Sequence, residues 1–243
     1  MSRVVVITGA ASGLGLSLSR HFLQSGDRVF GVTRTQRHWN SAKKNLKNSE
    51  QFSLDCVDVS SESQVRQYLV KIKGVVNRID ILINCAGYGG KLAPVEKLEL
   101  SEFQNHLSNN LVSTFLMCKH LLPVFKKTNA GWIVNVASYA GKRAVPLMSA
   151  YSSSKFGVVA LSQSIAKENP KSRFKCVTVC PGGINTSMRV KLFGAEEAQR
   201  QQSADFVAEK IVAIIEGKIP IESGGDVVIR HGKVAAINPL PEA

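Results

Sequence analysis

Tyr151 and Lys155 stand four residues apart in Tyr151-Ser152-Ser153-Ser154-Lys155, at the head of a segment whose apolar residues Phe156, Val159, Leu161 and Ile165 are spaced as on a helix. Residues four apart on a helix share a face, so the phenol and the ammonium fall within one small volume. A tyrosine alone, with a pKa of about 10, exchanges protons poorly at neutral pH. A cation beside it favours the phenolate and brings general acid–base chemistry within reach. The same spacing also describes a half-buried aromatic beside a lysine that snorkels to water, and the pair by itself does not decide between the two.

The chain must supply elements that bring a substrate to this pair. Val4 to Ile7 is a continuous β-branched run, expected as a strand buried on both faces of a parallel sheet. It leads into Thr8-Gly9-Ala10-Ala11-Ser12-Gly13-Leu14-Gly15, then a helix with Leu14, Leu18, Phe22 and Leu23 on one face and Gly26 as its stop. Strand, glycine-rich turn and helix are the context in which a backbone approaches a pyrophosphate and a helix N-terminus receives its charge. A tight turn that merely needs glycine is the plainer reading, and the flanking elements favour nucleotide binding.

Arg28 to Thr33 predicts a second strand. In a dinucleotide fold its end meets the adenosine ribose, where a carboxylate accepts from the 2'-hydroxyl of NAD. Here the end reads Thr33-Arg34, with Arg37 close behind. A guanidinium fork suits a 2'-phosphate, which predicts NADP(H).

Phe52 to Leu54 suggests a third strand ending near Asp55 to Asp58, and Ser61-x-x-Gln64 has the form of a capping box opening a helix through Val65, Leu69 and Ile72. Ile79 to Ile83 is a fourth strand and delivers Asn84-Cys85-Ala86-Gly87 opposite the glycine turn. Ser101-x-x-Gln104 has the form of a second capping box. Its helix carries Phe103, Leu107, Leu111, Thr114, Cys118, Leu122 and Phe125 toward the core, with Asn110 on the same stripe, where an amide needs partners or a task. Trp132 to Val136 predicts a fifth strand ending at Ala137-Ser138. The Tyr151 helix stops before Pro170, and Cys176 to Cys180 is a sixth strand opening into Pro181-Gly182-Gly183-Ile184-Asn185-Thr186. Residues 187–203 show poor periodicity and are expected as a mobile lid. A helix over Phe206 to Ile215 and a strand over Asp226 to Ile229 complete the pattern. The expectation is an α/β, Rossmann-like, doubly wound parallel sheet in a single domain, residues 1–243.

Composition narrows the class. No apolar run is long enough to cross a bilayer, and the start lacks the form of a signal peptide, so a soluble cytoplasmic protein without a membrane partner is expected. The five cysteines, Cys56, Cys85, Cys118, Cys176 and Cys180, show no CxxC spacing and read as reduced thiols rather than a disulfide or metal framework. A net charge of +13 gathers most densely at Arg28, Arg34, Arg37, Lys43, Lys44 and Lys47, with no acid among them. No nucleic-acid motif accompanies it, so a solvated basic face is expected and nucleic acid is not a partner.

In order and spacing together, Thr8-Gly9 with Gly13 and Gly15, Asn84 with Ala86-Gly87, Asn110, Ser138, Tyr151 with Lys155, and Pro181-Gly182 with Thr186 resemble the short-chain dehydrogenase/reductase family across nearly the whole chain. The resemblance implies an oxidoreductase moving a hydride between NADP(H) and a small-molecule carbonyl or secondary alcohol. It implies Tyr151 as proton donor or base, Lys155 as the group that lowers its pKa and holds the nicotinamide ribose, Asn110 as holder of a relay water, and Ser138 as partner of the substrate oxygen. Gly9, Ser12, Gly13, Gly15, Thr33, Arg34, Asp58, Asn84, Ala86, Gly87, Pro181, Gly182, Ile184 and Thr186, with Tyr151 and Lys155, would line the cofactor, and a homotetramer or homodimer would form through the helices of Asn110 and Tyr151. Cys85 and Ala137 depart from the family's usual asparagine and serine, and the tail from Gly224 to Arg230 follows it loosely. A non-catalytic NADP(H)-binding regulator is the alternative; it has no need of Ser138, Tyr151 and Lys155.

Overall fold

The computed structural model describes residues 2–36, 40, 46 and 50–241. Eight strands form one sheet in the order β10-β9-β6-β5-β4-β1-β2-β3, parallel except for the last edge strand. β1, Val4–Thr8, lies in its interior and is buried at every position because both faces are covered. β2, Arg28–Thr33, and β3, Phe52–Cys56, extend the sheet to one side of β1. β4, Ile81–Asn84, β5, Trp132–Val136, and β6, Lys175–Pro181, extend it to the other. The order reverses between β1 and β4, and the crevice above their carboxyl ends is where open α/β sheets take ligands.

On one face lie α1, Gly13–Gln24, and α8, Ala204–Ile215, burying Leu18, Phe22, Val207 and Ile211 completely. Residues such as these contribute about 1.5–3 kcal/mol each. On the other face α2, Glu62–Lys73, α4, Ser113–Thr128, and α5, Ser149–Glu168, cover a core that includes Leu69, Met117, Leu121, Phe125 and Phe174.

Several expectations are corrected in detail. Ser61 precedes α2 without a side-chain cap bond, and Gln64 accepts instead from the Asp58 N–H at 2.9 Å. α3, Leu100–His106, begins before Ser101, so the second capping box does not form. Between α3 and α4 the chain makes a π-helical segment, Leu107–Val112, whose wider turn shifts the apolar stripe: Leu107, Leu111 and Leu122 are half-buried, while Leu116, Met117 and Leu121 are buried. On α5 the inward face carries Ser152, Ser154 and Ser162, small residues that let the helix lie close to the sheet, and Phe156 points outward at 44% exposure.

The segment 187–203 is more regular than its pattern suggests. It holds α6, Ser187–Phe193, α7, Ala195–Gln199, and β8, Gln202–Ser203, which pairs with β7, Ile184–Asn185, just ahead of the segment. These helices are too short and too exposed to show periodicity. β9, Asp226–Arg230, is joined by an edge strand absent from the sequence reading, β10, Lys233–Asn238, half of whose residues are exposed. Arg37, Lys43, Lys44 and Lys47 lie outside the described residues.

Candidate active site

The glycine turn is shaped by close approach. At Gly9, with φ of +70°, a Cβ would stand 3.0 Å from the Ala86 Cα, and at Gly15 one would stand 2.2 Å from the Gly9 carbonyl oxygen. Bare backbone is therefore needed for the turn to lie against the β4 exit. Thr8 Oγ1 accepts the Cys85 and Ala86 N–H groups at 3.0 Å each, which ties the two strand ends together. Gly13 faces the far wall: its missing Cβ would lie 3.2 Å from Thr186 Cγ2. Ser12 precedes α1 in extended conformation, its hydroxyl makes no cap bond, and no acid stands in the first turn. Orphan N–H groups without a competing carboxylate suit a pyrophosphate.

The adenosine side is more open. Thr33 is buried at the end of β2, and the exposed Arg34 donates through Nη1 to Asn109 Oδ1 across the crevice. Asp58 folds on itself, accepting from the Ser60 N–H at 2.9 Å and hydroxyl at 2.6 Å. At the other end, Pro181 closes β6 and the Gly182 N–H donates to the Ile229 carbonyl at 2.8 Å. Ile184 lies in β7, and Thr186 precedes α6, accepting the Arg189 N–H at 3.4 Å. Asn84 is placed differently from the sequence reading: its amide turns into the buried face of the sheet, donating to Asn135 Oδ1 at 2.8 Å, so its side chain does not line the cofactor face. Ala86 and Gly87 do border the crevice, and a Cβ on Gly87 would lie 3.5 Å from Asn110 Oδ1 and 3.9 Å from Lys155 Nζ.

Four side chains converge here. Lys155 Nζ sits 5.8 Å from the Tyr151 ring centre and donates to the Val136 carbonyl at 2.9 Å. The Ser138 hydroxyl accepts the Ala140 N–H at 3.1 Å, which leaves its proton for the Tyr151 phenol. The turn after Ser138 can press on α5 because Gly141 has no side chain; a Cβ there would stand 2.7 Å from the Lys155 carbonyl oxygen. Asn110, fully buried in the π-helical segment, accepts the Tyr88 N–H at 2.7 Å and donates to the Tyr88 carbonyl at 3.1 Å and to Ser154 Oγ at 2.9 Å. The amide that interrupts the stripe is thus fully partnered.

Electrostatics separates the pair. Burial pushes the Lys155 ammonium down to about 8 from 10.5. Burial also raises the Tyr151 phenol, opposed by the hydrogen bond from Ser138 and the charge of Arg189. Ser138 and Arg189 are the groups that oppose this rise, while Lys155 donates to the Val136 carbonyl beside the ring. Arg189 belongs to α6, where its Nε donates to Glu197 Oε2 at 2.7 Å. α6 seats on the loop after β4, where a Cβ on Gly89 would stand 2.8 Å from Leu192 Cδ1.

Sequence reasoning passed over Tyr88, Asn109 and His106. The spacing of Glu102 and His106, one helical turn apart, was the signal available for the last.

A sheet with its switch point above β1 and β4, a bare-backbone cradle and a half-buried tyrosine beside a buried lysine define a dinucleotide-dependent oxidoreductase. The comparisons agree. A family model described as short chain dehydrogenase matches residues 3–197, and the chain belongs to that family. Over 199 residues it is 34% identical to 2-(R)-hydroxypropyl-CoM dehydrogenase of Xanthobacter autotrophicus, covering 77% of each chain. It is 29% identical to an NADPH-dependent pterin aldehyde reductase of Arabidopsis thaliana, over 94% of this chain and 93% of that one. Among solved structures it resembles levodione reductase with a TM-score of 0.87 at 27% identity, covering 96% of this chain and 98% of that one. ElxO with NADP bound gives a TM-score of 0.85 at 25% identity, covering 94% and 97%. The chain is an oxidoreductase acting on a carbonyl or alcohol, with the Rossmann-like parallel sheet of its family.

Proposed function

We propose that this protein is an NADP(H)-dependent carbonyl reductase or alcohol dehydrogenase, built as one catalytic domain over residues 1–243. The observation that carries the reading is the meeting of Ser138, Tyr151, Lys155 and Asn110 beside a bare-backbone cradle. NADP(H), when bound, supplies or takes up the hydride. Tyr151 gives a proton to the substrate oxygen in reduction and takes it back in oxidation. Ser138 donates to that oxygen as charge grows on it. Lys155, with an amine near 8, holds ribose hydroxyls and passes protons onward, and the Asn110 side chain, locked to Tyr88, keeps the surrounding backbone fixed for a relay water.

Gly9, Ser12, Gly13 and Gly15 hold the pyrophosphate. Thr33, Arg34 and Asp58 border the adenosine half, and Ala86, Gly87, Pro181, Gly182, Ile184 and Thr186 border the nicotinamide half. Arg34, at a strand end where no carboxylate stands, favours the 2'-phosphate. The NADPH-dependent pterin reductase and the NADP-bound ElxO support this cofactor. Residues 187–203 act as a lid over the substrate.

A homodimer or homotetramer forms through α4 and α5, whose outward Phe115 and Phe156 are each 44% exposed. Five free cysteines support a reducing cytoplasm as the compartment, and among the described residues no helix is long and apolar enough to cross a membrane.

The test is a fluorescence titration with NADPH and NADH on the native chain and on Tyr151→Phe. The expected result is tighter NADPH binding in both proteins, with turnover of a carbonyl panel by the native chain alone. A folded sample that binds neither nucleotide overturns the reading.

A further inference from the structure

His106 ends α3 with 1% exposure, the one buried residue of that helix, and a buried imidazole there needs an account. Its Nε2 lies 3.5 Å from Glu102 Oε1, one turn earlier. That carboxylate accepts the Tyr88 hydroxyl, 3.1 and 3.0 Å from its two oxygens, and the Lys91 N–H at 3.0 Å. The His106 ring lies 5.0 Å from the Tyr88 ring and meets the Tyr151 ring edge-on, 6.0 Å away with planes at 77°. The loop after β4 closes tightly over the pair. At Gly90 a Cβ would stand 2.2 Å from His106 Nε2 and 2.3 Å from Glu102 Oε1. His106 Nδ1 is buried without a partner among the described residues.

These contacts converge on two functional groups. Tyr151 is touched directly. Asn110 is reached through Tyr88, whose backbone N–H and carbonyl both bond the Asn110 amide. We propose that His106, held by Glu102 and Tyr88, is a positioning residue that sets the placement of the Tyr151 phenol and, through the Tyr88 backbone, of Asn110. The inference rests on the reading of Tyr151 as the proton-transfer group. A reacting group must be held to about 0.5 Å, and the Ser138 hydroxyl fixes only the phenol oxygen, leaving the Tyr151 ring plane free to rock. An aromatic edge on one side of that ring removes the freedom.

The arrangement responds to acid. Facing His106 are Glu102 from its own helix, Tyr88 from the loop after β4, and Tyr151 and Lys155 from α5. Burial and Lys155 hold the imidazole below its ordinary value while Glu102 works against them, so it is neutral at pH 7. A proton gained at lower pH draws Glu102 toward the imidazolium and away from the Tyr88 hydroxyl, which loosens the loop that fixes Asn110.

The experiment uses the full chain with ¹³Cζ-tyrosine. The chain has four tyrosines, and Tyr88→Phe and Tyr151→Phe assign their signals. In the native protein the Tyr88 and Tyr151 signals shift together as pH falls from about 7 to 5, with a shared midpoint below 6.5 that is separate from the Lys155 titration near 8. In His106→Phe, which keeps the ring edge and loses the proton, both shifts vanish. Carbonyl reduction is followed with 4-nitrobenzaldehyde and NADPH. His106→Ala loses roughly two- to tenfold in kcat at pH 8, with cofactor affinity unchanged. His106→Phe keeps most of kcat and loses the acid limb of the profile.

A Tyr151 signal that ignores this titration overturns the proposal, as does a kcat unchanged in His106→Ala. So does a parallel fall of kcat, cofactor affinity and Tm in both variants, which marks a merely structural residue. If the native chain binds neither NADPH nor NADH while the paired shifts persist, the reductase reading is what fails, and the placement of Tyr151 by His106 stands.

Discussion

The two ends of the crevice are built differently. At the Tyr151 end, every proposed catalytic group is buried or half-buried and has partners: Lys155 on a strand carbonyl, Asn110 on the backbone N–H and carbonyl of Tyr88, Ser138 oriented by an N–H. At the Arg34 end, the guanidinium is exposed and holds a side-chain amide on the π-helical segment. The first end can hold a geometry before any ligand arrives, because low exposure and complete hydrogen bonding leave few alternatives. The second is set to exchange one partner for another. Chemistry is assigned to the rigid end and ligand choice to the adaptable one.

Breaking the rigid end has the largest expected effect. Tyr151→Phe lowers kcat by about 10²- to 10⁴-fold with NADPH affinity retained, measured by turnover beside fluorescence titration. Lys155→Met also loses turnover, and its stability reads the burial directly. Below pH 8 both folded and unfolded chains carry the Lys155 proton, and the folded chain bears the cost of a buried charge. Between about 8 and 10.5 the folded chain releases the proton while the unfolded chain keeps it, so native stability rises with pH across that window. The rise is about 3 kcal/mol. Chemical denaturation from pH 7 to 10.5 is therefore expected to show the native chain gaining stability relative to Lys155→Met, since the loss from the buried thiols is common to both; parallel curves would refute the buried amine.

Gly15→Ala tests the cradle that joins the two ends. With 2.2 Å to a backbone oxygen, the added methyl forces the turn apart, for a loss of about 1–3 kcal/mol in stability and a weakened affinity for both nucleotides. At the adaptable end, Arg34→Ala is expected to weaken NADPH by roughly tenfold or more and leave NADH nearly unchanged. Equal weakening of both would remove Arg34 from phosphate recognition. Smallest in its effect on chemistry is Phe156→Ser: the outward ring is expected to matter to assembly alone, so light scattering registers a smaller particle while turnover per chain stays within about twofold.

Much of this was legible along the chain. The strands β1, β2, β4, β5 and β6 lie along the apolar runs that predict them, because strands buried on both faces leave an apolar signature, whereas β3 is half-exposed and carries Ser53 and Asp55. The glycine turn, Ser138 and the Tyr151–Lys155 pair are local patterns at strand and helix ends. Other features left no such trace. The π-helical segment around Asn110 is stabilised by tertiary partners rather than by its own sequence, and both apparent capping boxes failed because serine and glutamine found other contacts or none. β10 is a half-exposed edge strand with a bulge between Val234 and Ala236, too irregular to show alternation. Asn84 faces the core and not the crevice because a strand's side chains alternate, and its partner Asn135 lies on the neighbouring strand.

Residue order alone determined the class of chemistry: phosphate-binding glycines, a phenol and an amine at helical spacing, and an arginine where a carboxylate would choose NAD. The tertiary structure alone decided how that phenol is held. The His106 edge, the Glu102–Tyr88 contact and the seat of α6 on Gly89 join segments distant in sequence. Their geometry follows from how layers pack over the sheet, and no local periodicity encodes it.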